Sequence, residues 1–132
     1  MKQRPPIGLE GRMSFTVAEE HVIDFASDGM PAVFSTPKMI ALLERTARES
    51  VAPFLENGER TVGVELDIRH LAPAPLGSQV TLTTRCIGGE GVYLNFAVEA
   101  RDDHELLAKG VHKRAVIKVD SFARRVRRKQ EL

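Results

Sequence analysis

The chain has no tryptophan, one tyrosine and one cysteine, Cys86, in 132 residues. A single cysteine excludes an internal disulfide and any cysteine-based metal site, and it leaves Cys86 as a small core residue. No apolar run approaches the ~20 residues that span a bilayer. The leading Met-Lys-Gln-Arg-Pro-Pro-Ile-Gly has no apolar signal core. Neither sign of charge dominates: the net charge is +1, so no global field argues for nucleic acid or a membrane as partner. From these absences we expect a cytoplasmic protein. What is present, 42% apolar and 28% charged residues, is the balance of an ordinary globular domain. We expect one domain over residues 1–132, burying roughly two thirds of its unfolded surface.

One stretch organises the rest. From Val33 to Phe54 the apolar residues recur at helical spacing. Pro37 suits a first helical position, where its missing N–H costs nothing. That makes Thr36 the expected N-cap. Met39, Ile40, Leu43, Ala47, Val51 and Phe54 form an apolar stripe, with Lys38, Arg45, Arg48 and Glu49 pointing away. Glu44 falls at the edge of the stripe, and a carboxylate half inside a core needs a partner or a task.

Around this helix the pattern is extended. Met13 to Val17 reads as a short strand. Val22, Ile23 and Phe25 suit a helical turn or a packed loop, and Asp28-Gly29-Met30-Pro31 is turn-like. After the helix stop at Asn57-Gly58, Thr61 to Leu71 alternates, with Val62, Val64, Leu66, Ile68 and His70 on one face and Thr61, Glu65, Asp67 and Arg69 on the other. Val80, Leu82, Thr84 and Cys86 give the next inward face. Gly88-Gly89-Glu90-Gly91 is a hairpin loop, and Val92, Leu94, Phe96, Val98 and Ala100 face in again. Leu106 to Val119 is a last long strand whose faces are less distinct. Asp120-Ser121 suits the cap of a short terminal helix rich in arginine. Short connections between these strands predict an antiparallel meander. The economical arrangement is an α+β layer in which an antiparallel sheet wraps around one long central helix.

Glu44 and His70 both point into that helix–sheet interface. Thr36 sits at the helix start, where free N–H groups and the dipole favour developing negative charge. A hydroxyl, a carboxylate and an imidazole converging there suit acyl transfer. Each also has an ordinary reading: Thr36 as a plain cap, Glu44 paired with Arg48 one turn on, and His70 as a satisfied core histidine. His112 and Arg114 share a parity in the last strand and could be surface or edge residues. The arginine-rich end could be a solvated tail, with phosphate contact as its sharper reading.

Three blocks, Val33 to Glu44, Val62 to Gly77 and Gly110 to Ile117, resemble the hotdog-fold thioesterases of the fluoroacetyl-CoA thioesterase type. The likeness runs from about Met30 to Val126. It implies a hotdog fold and an acyl-CoA thioesterase acting on a small or medium acyl group. It places that family's catalytic threonine, glutamate and histidine on Thr36, Glu44 and His70, and substrate contacts at Phe34, Ser35, Gly63, His112 and Arg114. It implies no metal and no cofactor beyond the coenzyme A of the substrate. It also implies a homodimer joined edge to edge, with active sites at the junction and larger homo-oligomers open. The family's longer, phenylalanine-rich lid has as its counterpart the shorter Ala26–Ala32, so fluoroacetyl selectivity does not carry over. The alternative is a non-catalytic acyl-CoA binder or sensor on the same fold.

Overall fold

The computed structural model describes residues 1–23 and 28–132, so the expectation for Phe25 and the first part of the Ala26–Ala32 segment lie outside the described residues. The helix α1 runs Thr36–Val51. Its buried face is Met39, Leu43, Thr46, Ala47 and Val51, and each large apolar member contributes roughly 1.5–3 kcal/mol by leaving water. Phe54 lies beyond the helix, in a 3₁₀ turn over Ala52–Phe54. The N-cap is Ser35, not Thr36: the Ser35 hydroxyl accepts from the Lys38 N–H at 3.3 Å, and Thr36 is the first helical residue. The two positions are adjacent and chemically alike, which is why composition could not separate them. Ser35→Ala should cost about 1 kcal/mol in denaturant unfolding, whereas Thr36→Ala should cost less because Thr36 caps nothing.

The sheet is five-stranded and antiparallel, in the order β1-β5-β6-β7-β4. The strands are β1 Glu10–Thr16, β4 Glu59–His70, β5 Gln79–Gly88, β6 Tyr93–Arg101 and β7 Leu106–Lys118. Two short strands, β2 Val22–Ile23 and β3 Val33–Phe34, pair separately ahead of α1. The expected meander therefore holds only for β5, β6 and β7. β4 does not pair with β5; it crosses to the far side and pairs with β7. Short connections alone could not reveal this, because the crossing segment 71–78 is itself short. Its backbone is held by β3, with the Phe34 N–H donating to the Ala74 carbonyl at 2.8 Å.

The sheet curls around α1, which packs chiefly on β1 and β5. Leu82, Cys86, Leu94, Phe96 and Leu107 are at most 1% exposed and fill the space between the layers. At the β5–β6 hairpin Gly89 has φ +143°, and a Cβ there would meet the Tyr93 carbonyl oxygen at 2.1 Å, so only glycine fits. A second helix, α2, runs Val119–Gln130 on the outside. Its N-cap position is Lys118, which makes no side-chain cap, and Asp120 lies in the first turn rather than capping it. Among the described residues, no helix is long and apolar enough to cross a membrane.

One irregularity matters for the site. β4 carries a β-bulge at Val64: Gly63 pairs with Arg114 and Glu65 with Lys113, leaving Val64 as the extra residue. The bulge shifts the alternation by one. Before it, Glu59 and Thr61 are buried; after it, Leu66, Ile68 and His70 turn inward. Thr61 was expected outward and is 5% exposed, whereas Val64 was expected inward and is 52% exposed.

Candidate active site

Two clusters arise along α1 and β4. The first is at the N-terminal end of the helix. Thr36, held by the first turn of α1, places its Oγ1 2.7 Å from His70 Nδ1 at the end of β4. The hydroxyl is exposed, so a substrate can reach it. His70 Nε2 is buried and has no hydrogen-bond partner among the described residues. An unpaired buried ring nitrogen is unusual and needs a reason. Beside the pair lies a cavity of about 370 Å³ walled by Ile23, Val33, Phe34, Leu71, Ala72 and Pro73. Its wall is apolar and its chemistry-bearing groups are Thr36 and His70, the pattern of a small-molecule site. Phe34 is 1% exposed and is held by an edge contact to Phe15 at 5.4 Å. Ser35, 6% exposed, serves the helix start as its cap.

The second cluster lies about 12 Å further along α1, a little over two turns. Glu44 does not pair with Arg48. Its Oε2 accepts from Arg114 Nη1 at 3.1 Å, joining α1 to β7 as an ion pair. Gly63 faces this carboxylate so closely that a Cβ there would stand 2.2 Å from Glu44 Oε2. Arg114 is 3% exposed and makes two further bonds, from Nε to Thr61 Oγ1 at 2.8 Å and from Nη2 to the Thr61 carbonyl at 2.9 Å. Burial pulls its pKa down, opposed by the adjacent Glu44 charge. His112, also 3% exposed, bonds the Glu65 carbonyl through Nδ1 at 2.9 Å and lies 3.2 Å from Arg114 Nη1 through Nε2. Burial pushes the His112 imidazole below its ordinary value.

The sequence expectation of one convergent trio thus resolves into a Thr36–His70 pair and a Glu44–Arg114–His112 group. Gly63 belongs with the second group, and Phe34 and Ser35 with the first. His112 and Arg114 are interior, not surface or edge residues. Thr61 is the residue that sequence reasoning missed. Its signal was the Gly63-Val64 pair inside a strand, where an internal glycine often marks a bulge. Among the described residues, no three His, Cys, Asp or Glu side chains are grouped to hold a metal ion.

Comparison with known proteins points to one family. The family model described as FlK: Fluoroacetyl-CoA-specific thioesterase matches residues 17–120. The fluoroacetyl-CoA thioesterase of Streptantibioticus cattleyicolor is 37% identical over 99 residues, which is 75% of this chain and 71% of that one. A solved structure of the fluoroacetyl-CoA thioesterase FlK superposes with a TM-score of 0.87 at 30% identity, covering 96% of this chain and 98% of that one. A thioesterase superfamily member from Thermus thermophilus superposes with a TM-score of 0.88 at 30% identity, covering 98% and 96%. A mutant of FlK solved with fluoroacetate and CoA superposes with a TM-score of 0.82 at 30% identity, covering 89% and 99%.

Proposed function

The chain belongs to the fluoroacetyl-CoA-specific thioesterase family, and from that premise we propose that it hydrolyses a small or medium acyl-CoA thioester to the free acid and CoA. The observation that carries the reading is the Thr36–His70 hydrogen bond at the mouth of an apolar cavity. The acyl group would enter the cavity against Phe34, with the thioester carbonyl near the first turn of α1. Free N–H groups there, with the Ser35 cap behind them, favour the oxyanion of a tetrahedral intermediate. The Thr36 hydroxyl positions the thioester, and His70 delivers a proton to the leaving thiolate, a proton that comes in net from the water whose oxygen ends in the acid. Glu44 is the nucleophile or the base that activates water. Its carboxylate sits over Gly63, which has no side chain to block the approach.

The distance between the two clusters supports a site completed by a second copy. β4 is an edge strand of twelve residues with one side unpaired among the described residues. Thr61, Gly63 and His70 all lie along it. A long bare edge is a template for strand pairing, and a homodimer joined there would set both clusters along the junction. Sedimentation at micromolar concentration should give twice the chain mass. The lone cysteine is free and buried, consistent with a cytoplasmic location.

The direct test is hydrolysis of an acyl-CoA panel from acetyl through branched, aromatic and long chains, with a colour reagent following thiol release. Turnover should peak at short to medium chains, since the thioesterase reading places a small or medium acyl group against Phe34 in this cavity. Preference for long chains would contradict the acyl group's placement.

A further inference from the structure

The geometry points to Thr61 and His112 as positioning residues that aim the Arg114 guanidinium at Glu44. This rests on the thioesterase reading above and extends it to residues that act through Arg114.

Arg114 is buried and has few ways to turn. Its Nε and Nη2 donate to the side chain and the carbonyl of one residue, Thr61, at 2.8 and 2.9 Å. Two such bonds from a planar fork fix the plane of the whole group. Only then is Nη1 directed at Glu44 Oε2, 3.1 Å away. The second hydrogen of Nη1 goes to His112 Nε2 at 3.2 Å. Thr61 reaches this position because the bulge at Val64 turns it inward.

The partners of His112 decide its tautomer. The Glu65 carbonyl can only accept, so Nδ1 carries the proton. Arg114 can only donate, so Nε2 must offer a lone pair. The neutral Nδ1–H form is the one that satisfies both. A second proton would set N–H against N–H and place two cations side by side in the interior. The charges facing the ring are Arg114 on its own strand and Glu44 from α1; β6 faces it with Phe96, and β4 with Leu66 and the Glu65 carbonyl. Burial is the main cause of the lowered His112 pKa, and Arg114 adds to it, while the Glu65 hydrogen bond and Glu44 act the other way. The sign follows. The unfolded imidazole takes a proton near pH ~6.5, whereas the native one resists, so the contribution to stability is complete above that pH and is lost as pH falls below it. When the native ring does protonate, Nη1 loses its second acceptor and Glu44 loses its fixed partner.

The test uses paired variants of the full chain. Thr61→Val keeps the shape and removes the Oγ1 acceptor, and Thr61→Ser restores it. His112→Phe keeps a ring beside Phe96 and removes the Nε2 acceptor, and His112→Gln offers an amide oxygen that does not titrate. Thr61→Val and His112→Phe should lose about tenfold to a hundredfold in kcat with little change in KM, the cost of a small misplacement of a reacting group. Thr61→Ser should recover most of that loss, and the acid limb of the kcat profile should move in His112→Gln. Independently of turnover, ¹⁵N NMR of the four histidines should show the signal missing from His112→Gln to be an Nδ1–H imidazole at neutral pH. If Thr61→Val does not fold, the two His112 variants carry the comparison. An Nε2–H tautomer, equal losses in Thr61→Val and Thr61→Ser, or an unmoved acid limb in His112→Gln would each overturn the assignment. A wild type inert toward every acyl-CoA would instead overturn the thioesterase reading, with the tautomer still decided by NMR.

Discussion

Gly63→Ala should remove nearly all turnover and lower the melting temperature, while the chain still folds. The added Cβ would stand 2.2 Å from Glu44 Oε2 and 3.6 Å from Arg114 Nη1. The first contact is impossible and the second is ordinary. The atom that must give way is the end of a flexible side chain whose surface is 36% exposed, so it can swing out toward water. That swing leaves Arg114, 3% exposed, without its carboxylate, so the fold should lose on the order of 1–3 kcal/mol while its packing is kept. Catalysis loses its reacting group. A carboxylate displaced by an ångström or more from its working position costs on the order of 10²-fold. Circular dichroism melting and kcat on one good acyl-CoA separate the two effects. A chain that no longer folds would mean that Gly63 is needed for packing; full turnover would mean that the Glu44 position does not matter.

The second large effect is expected for Glu44→Gln. The amide keeps the side chain's length and can still accept from Arg114 Nη1, so the geometry of the ion pair survives without its charge. What disappears is a group able to attack a carbonyl or take a proton from water, worth about 10²- to 10⁴-fold in rate. The stability cost should be on the order of 1–3 kcal/mol, because Arg114, 3% exposed, keeps its hydrogen bond but loses its counter-charge. kcat and denaturant unfolding on the same preparations give both numbers. Unchanged turnover would take Glu44 out of the mechanism and leave the Thr36–His70 pair to act with water alone.

Much of this arrangement is legible in the residues. The stripe Met39, Leu43, Ala47 and Val51 announced α1 and its buried face, and the alternation of Val80 to Cys86 and Leu94 to Ala100 announced β5 and β6. These are local periodicities, and burial enforces them. The pairing of β4 with β7 was not legible, since it joins segments far apart in the chain and no local pattern encodes the partner. The faces of β7 were indistinct because its buried positions, Leu107, Ala108, His112, Arg114, Ala115 and Val116, fall on both parities and two of them are polar. The same is true of Thr61. A rule of strict alternation puts it outside, and one extra residue at Val64 brings it in. Glu44 and His70 were expected to face the helix–sheet interface, with Thr36 at the helix start; the first two are half-buried and Thr36 is exposed. Their division into two clusters follows from helix rise, since eight residues along α1 keep Thr36 and Glu44 apart.

The most direct test of the account is thiol release from a short-chain acyl-CoA by the wild type and by His70→Ala, at matched concentration and confirmed fold. The reagent blank allows for Cys86. The account predicts clear turnover by the wild type and a drop in kcat of ~10²-fold or more in the variant. Turnover by His70→Ala equal to that of the wild type would contradict the Thr36–His70 pair as the reacting centre. No turnover by the wild type on any acyl-CoA, with CoA esters still raising its melting temperature, would make the protein a binder.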